Sequence, residues 1–167
     1  DARYHGRKGM PAAEYSFVQQ VDGRGVFSFC MCPGGILVPS STEDGTVVLN
    51  GMSNSARNSR WANAGVVVSI EPEDVPESYK GDGPFALMNF QRDVERGMYD
   101  ALRRNGGGEL HPLAAPAQRM VDFCCGRVSR DLPRTSYHPG AVSAPLHEIL
   151  PPMVAGRLRK AFPLVEG

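Results

Sequence analysis

Two cysteines stand one residue apart at the end of the run Phe27-Ser28-Phe29-Cys30-Met31-Cys32, and the chain then passes at once into Pro33-Gly34-Gly35. Alternation along a strand sends residues two apart to the same face, so both thiols are expected on one side of it. The glycines carry no Cβ, which lets the backbone beyond Cys32 bend sharply and come close to a ligand. A core strand needs neither device. A strand end that meets something flat and planar has use for both.

The rest of the composition sets broad limits. A chain of 167 residues is long enough for one domain with a real core. Hydrophobic residues at 41% and charged residues at 22% are ordinary for a globular protein. Eighteen basic and eighteen acidic side chains cancel, so the basic excess expected of a nucleic-acid-binding protein is missing. No apolar run approaches the roughly 20 residues that span a bilayer. The start, Asp1-Ala2-Arg3-Tyr4-His5, has neither an initiator Met nor an apolar signal core, and the chain is expected to be a piece of a longer polypeptide. Cys30, Cys32, Cys124 and Cys125 lack zinc-site spacing and are too sparse for a disulfide scaffold. They read as free thiols of a cytoplasmic protein with no metal site.

Turn signals divide the first half into strands. Glu14 to Val21 and Val26 to Cys32 flank Asp22-Gly23 and predict a hairpin. Ile36 to Ser40 and Thr46 to Asn50 flank Glu43-Asp44-Gly45 and predict a second. Gly65 to Ile70 reads as a strand buried on both faces, and the short connections predict a mainly antiparallel sheet. The acidic residues Glu71, Glu73, Asp74 and Glu77, interleaved with Pro72 and Pro76, read as a solvated linker. Helical patterns fill the second half. Pro84 opens a helix whose apolar stripe is Leu87, Phe90, Val94, Met98, Ala101 and Leu102, closed by Asn105 and the glycines 106–108. Ala115-Pro116 opens a short helix through Phe123, Ser143 caps a turn over 145–150, and Pro151-Pro152 begins the last helix. The expected fold is α+β: one domain over residues 1–167, with 12–70 mostly an antiparallel β-sheet and three or four helices within 84–163.

The string Gly81-Asp82-Gly83-Pro84-Phe85-Ala86 matches a dinucleotide fingerprint on paper, but no apolar strand precedes it and Pro84 sits inside it. The loop from Asn50 to Asn63 is rich in Asn, Ser and Arg, and Trp61 and Met52 within it favour an ordered loop packed against something. The run Phe29-Cys30-Met31-Cys32-Pro33-Gly34-Gly35, then Val48-Leu49-Asn50-Gly51-Met52-Ser53, then Asn63-Ala64-Gly65-Val66-Val67-Val68-Ser69 resembles the uncharacterised FAD-dependent dehydrogenases of prokaryotes. Ala115-Pro116-Ala117-Gln118, Ser136-Tyr137-His138-Pro139-Gly140 and Leu150-Pro151-Pro152 follow in the same order, so the resemblance runs from about Pro11 to Phe162.

That resemblance implies a middle domain of a flavoprotein, inserted between segments that build the FAD-binding domain. FAD would bind the full-length protein, the partner would be the FAD-binding domain of the same polypeptide, and this piece alone would neither hold FAD tightly nor turn over. On that reading Pro33, Gly34, Gly35, Asn50, Gly51, Met52 and Ser53 form the flavin-facing rim. Arg57, Arg60 and Asn63 would bind the substrate, with either arginine clamping an anion. Cys30 and Cys32 are the catalytic candidates, as a redox pair relaying electrons to or from the flavin; alternatively both thiols pack inward. The rival class is a non-enzymatic module for a protein partner or small ligand. The insert reading predicts an exposed apolar patch and neighbouring chain ends.

Overall fold

The structure, a computed structural model, describes residues 15–105 and 110–166; Glu14 and the glycines 106–108 of the expectations above lie outside them. β1 (Val18–Val21) and β2 (Arg24–Pro33) pair antiparallel through Asp22-Gly23. Both turn residues have positive φ, 49° and 72°, the geometry that matches the right-handed twist of a two-residue hairpin. β3 (Ile36–Pro39) and β4 (Leu49–Met52) form the second hairpin. Its second strand starts later than the apolar pattern suggested. Thr46 is buried in the turn instead, where its hydroxyl donates to the Glu43 carbonyl at 2.8 Å.

β5 (Ala62–Val68) adds antiparallel to β2, giving the order β1-β2-β5. This corrects the expectation of a strand buried on both faces. β5 is the edge of its sheet, and Ala62, Ala64, Gly65 and Val66 are exposed. An apolar run does not distinguish a central strand from an edge strand whose neighbour lies elsewhere.

The acidic segment is also not a free linker. Pro72–Asp74 forms a 3-10 turn in which Glu71 and Asp74 cap each other's backbone. Arg24 of β2 donates to Asp74 at 2.7 Å and to Glu73 at 2.8 Å. After the one-turn α1 (Glu77–Lys80), α2 (Ala86–Asn105) runs with Phe90, Ala101 and Leu102 buried. Leu87, the first residue of the expected stripe, is 44% exposed.

Ala115–Ala117 is a strand, β6, rather than the opening of a helix; α3 is only Met120–Cys124. β6 pairs parallel with β7 (Ala141–Ser143). Pro116 has no N–H to give, which a two-stranded ribbon tolerates and a central strand does not. Ser143 does not cap the following helix, because its hydroxyl donates to the Ser129 carbonyl at 2.6 Å. α4 (Leu146–Ile149) and α5 (Pro152–Ala161) close the fold. Ala155, Leu158 and Ala161 of α5 pack on Val21 and Val26 of the sheet and on Phe123, with Phe17 and Phe162 at the margin. Leu102, Ala114 and Ala144 form a second cluster between α2 and the parallel ribbon. The α+β class stands, with antiparallel pairing in the first half and helices in the second.

Candidate functional site

The cysteine run ends in a β-bulge. Phe29 lies opposite Gly65 but Cys32 opposite Asn63, so Cys30 and Met31 together face the single residue Ala64. Cys30 takes up the extra residue in a left-handed conformation, φ 51°. The bulge interrupts the alternation between the two thiols: Cys32 is buried and Cys30 exposed. They remain neighbours, since the Cys32 thiol donates to the Cys30 carbonyl at 3.6 Å. Cys32, and after it desolvation, pushes the Cys30 pKa above its ordinary value. That keeps the Cys30 thiol protonated and blunts its nucleophilicity.

Beyond Cys32 the chain folds tightly onto itself in a glycine knot. Gly35 N–H donates back to the Cys32 carbonyl at 3.1 Å, closing the turn. Gly34 has φ 64°, and a Cβ there would run into the backbone of Arg57. A Cβ on Gly35 would lie 2.6 Å from the Met52 carbonyl oxygen and 2.8 Å from Ser53 Oγ. On Gly51 it would overlap Asn63 Oδ1 and sit 3.1 Å from Cys32 Sγ. Ser53 Oγ donates to the Pro33 carbonyl at 3.4 Å, and Ser59 binds the carbonyls of Gly34 and Gly35, each at 3.3 Å. The close approach that these glycines permit is therefore to the chain itself.

The knot joins Cys32, Pro33, Gly34, Gly35, Gly51, Met52, Ser53 and Asn63. Asn63 is fixed from outside by Tyr15, whose hydroxyl donates to its carbonyl at 2.6 Å. Burial raises the Tyr15 pKa, so the phenol stays protonated as that bond requires. Asn63 Nδ2 is buried with no hydrogen-bond partner among the described residues. Asn50 lies at the exposed end, its Oδ1 accepting from Gly51 N–H at 2.9 Å. Met52 is 57% exposed and pairs across the hairpin with Ile36, itself 41% exposed. Phe29 and Met31 of β2 are exposed as well.

Neither candidate arginine's guanidinium bonds to the knot among the described residues. Arg57 contributes its backbone; its guanidinium has no ion pair among the described residues. The Arg60 guanidinium lies 4.6 Å over the Trp61 ring.

On the other side of Trp61 and Asn63 is a cavity of about 460 Å³ that the sequence did not suggest as a site. Leu37 and Leu49 of the second hairpin and Pro116 of β6 wall it, with the segment 132–137 closing it. Ser136 Oγ accepts from Leu37 N–H at 3.0 Å, and buried Tyr137 donates to the Leu113 carbonyl at 2.7 Å. The signal was present in Ala115 to Gln118 and in Ser136-Tyr137, segments that carried the resemblance but had no role attached. Among the described residues no group of His, Cys, Asp and Glu could hold a metal ion, and no helix is long and apolar enough to cross a membrane.

Over residues 1–167 the chain matches the family described as "FAD-dependent protein, C-terminal domain-like". It is also 39% identical over 162 residues to an uncharacterized protein of Clostridium beijerinckii, an alignment covering 95% of this chain. The chain spans 28% of the length of that relative.

Proposed function

The chain belongs to the FAD-dependent protein, C-terminal domain-like family, and from that premise we propose that it is the substrate-side wall of a FAD-dependent oxidoreductase. The FAD is held by another part of the same polypeptide, and this domain lies in the middle of it and covers the isoalloxazine. One observation carries the reading: the knot built from Cys32, Gly35, Gly51, Ser53 and Asn63 is closely packed inside, and the strands that enter it expose the apolar side chains of Phe29, Met31, Ile36 and Met52. A closely packed turn flanked by exposed apolar side chains suits contact with a flat ring and exclusion of water from it.

The residues present fit covering the flavin rather than holding its pyrophosphate. The Cβ positions of Gly34, Gly35 and Gly51 are filled by the chain's own atoms, so no open glycine cradle remains there. When bound, FAD supplies the electron chemistry. The chain would contribute the rim from Pro33 to Gly35 and from Asn50 to Ser53, and with the Asn63 amide would orient what enters. Cys30, Cys32 and Cys125, free thiols in the structure, suit a reducing, cytoplasmic compartment.

The test is hydrogen exchange on the full-length protein with and without FAD. Slower exchange is expected at residues 30–35 and 50–53 when FAD is bound, with α5 unchanged. Protection confined to other segments would overturn the reading.

A further inference from the structure

We propose that the cavity beside Trp61 and Asn63 is a chamber for a small organic carboxylate with a flat apolar body, and that Arg134 reads its charge. This rests on the reading of the domain as the substrate side of a flavin site. At about 460 Å³ the cavity falls within the range of small-ligand sites. Leu37, Leu49, Trp61 and Pro116 give it apolar walls, with the Arg60 guanidinium 4.6 Å over the Trp61 ring.

The class of ligand follows from which polar groups are already used. The Ser136 and Tyr137 hydroxyls bond to the backbone of Leu37 and Leu113. Gln118 is engaged at both ends, with Nε2 on the Arg127 carbonyl at 2.6 Å and Oε1 accepting from His147 N–H at 3.2 Å. Arg119 pairs with Asp131 at 3.0 Å. Two kinds of group remain on the lining: the Arg134 guanidinium, which has no ion pair among the described residues, and the hydroxyl protons of Thr135 and Ser136, whose oxygens accept from the backbone N–H groups of Tyr137 and Leu37. Both are donors. A ligand that satisfies them brings acceptors and negative charge at one end, and a carboxylate matches a guanidinium fork.

The test uses the full-length flavin-bound protein, with benzoate, benzamide and inorganic phosphate as probes. Benzoate is expected to bind, and Arg134→Gln to weaken it about tenfold or more. Arg134 is exposed, so the variant should fold normally; Arg130→Gln, on the same loop but off the lining, should bind as the parent does. Benzamide should bind more weakly because it lacks the charge, and phosphate because it lacks the body. Equal binding of benzoate and benzamide, equal binding of phosphate, or indifference to Arg134→Gln would each overturn the chamber. Flavin absorbance, recorded together with the exchange experiment, separates the two ideas. Arg134-dependent binding with an unmoved flavin spectrum and no protection at 30–35 sinks the flavin-side reading and keeps the chamber. Protection at 30–35 with no benzoate bound at roughly millimolar concentration sinks the chamber alone.

Discussion

Gly34 is held to glycine by two independent requirements: its φ is 64°, and its α-carbon lies against the backbone of Arg57. Gly45 has only the first, with φ 75° and nothing within 4 Å of where a Cβ would stand. The pair separates conformational strain from close packing. Gly45→Ala should cost about 1 kcal/mol, the penalty of a Cβ in the left-handed region. Gly34→Ala adds overpacking against a backbone that cannot step aside, for a total of about 3 kcal/mol. Urea midpoints at unchanged slope measure both; equal losses would mean that Arg57 moves freely. Sequence could point to the Pro33-Gly34-Gly35 turn, because a Cβ-free pair after a strand has few other uses. It could not say what comes close, since Arg57 and Asn63 approach from the far end of the following hairpin and loop. Nor was the bulge legible: nothing in Phe29-Cys30-Met31-Cys32 marks Cys30 as the residue that leaves the pleat, so the two thiols looked equivalent when one is exposed and the other buried.

Among the elements, those announced by local chemistry were readable and those made by distant partners were not. Asp22-Gly23 fixed the first hairpin, and Pro151-Pro152 ahead of Val154 and Leu158, one helical turn apart, marked α5. The parallel pair of β6 and β7 depends on Ala115 meeting Ala141, and no periodicity in either short segment encodes that. The turn over Pro72–Asp74 was misread for a related reason, because its acids are neutralised by Arg24 from β2 and Arg157 from α5. Asp74 sits at the centre of that junction with 13% of its side chain exposed. The backbone N–H of Glu71 first, and then Arg24, hold its carboxyl below the usual carboxylate range. The folded pKa is thus lower than the unfolded one, so the stabilisation is complete above the unfolded value and fades as pH falls through the folded value. Replacing Asp74 by Asn should lower the melting temperature near neutral pH and make it less dependent on pH between about 5 and 2. If the variant keeps the parent's acid-side slope, the junction does not carry that dependence.

At the scale of the molecule, the uncovered apolar surface is the feature that one domain alone does not explain. Between β5 and α2 runs a groove of about 910 Å³ lined by Val66, Val68, Leu87, Met88, Val94 and Val154. Val66, Leu87 and Met88 are 37%, 44% and 48% exposed, and Leu87 is the first residue of the helix's apolar stripe. The helical pattern was read correctly as a pattern, but burial of its first turn is decided by whatever lies against it. On the proposed reading of the chain as one part of a longer polypeptide, the rest of that polypeptide is the expected occupant of the groove. Met88→Glu tests this by comparing two contexts. In the 167-residue chain alone Met88 is half in water, and the substitution should change stability by no more than about 0.5 kcal/mol. In the full-length protein the same carboxylate would be trapped in an apolar contact without a partner, at a cost of about 2 kcal/mol or more. Denaturant unfolding of both forms gives the comparison. A small effect in the full-length protein would leave the groove open to solvent there, and the rest of the polypeptide would have to meet this domain elsewhere.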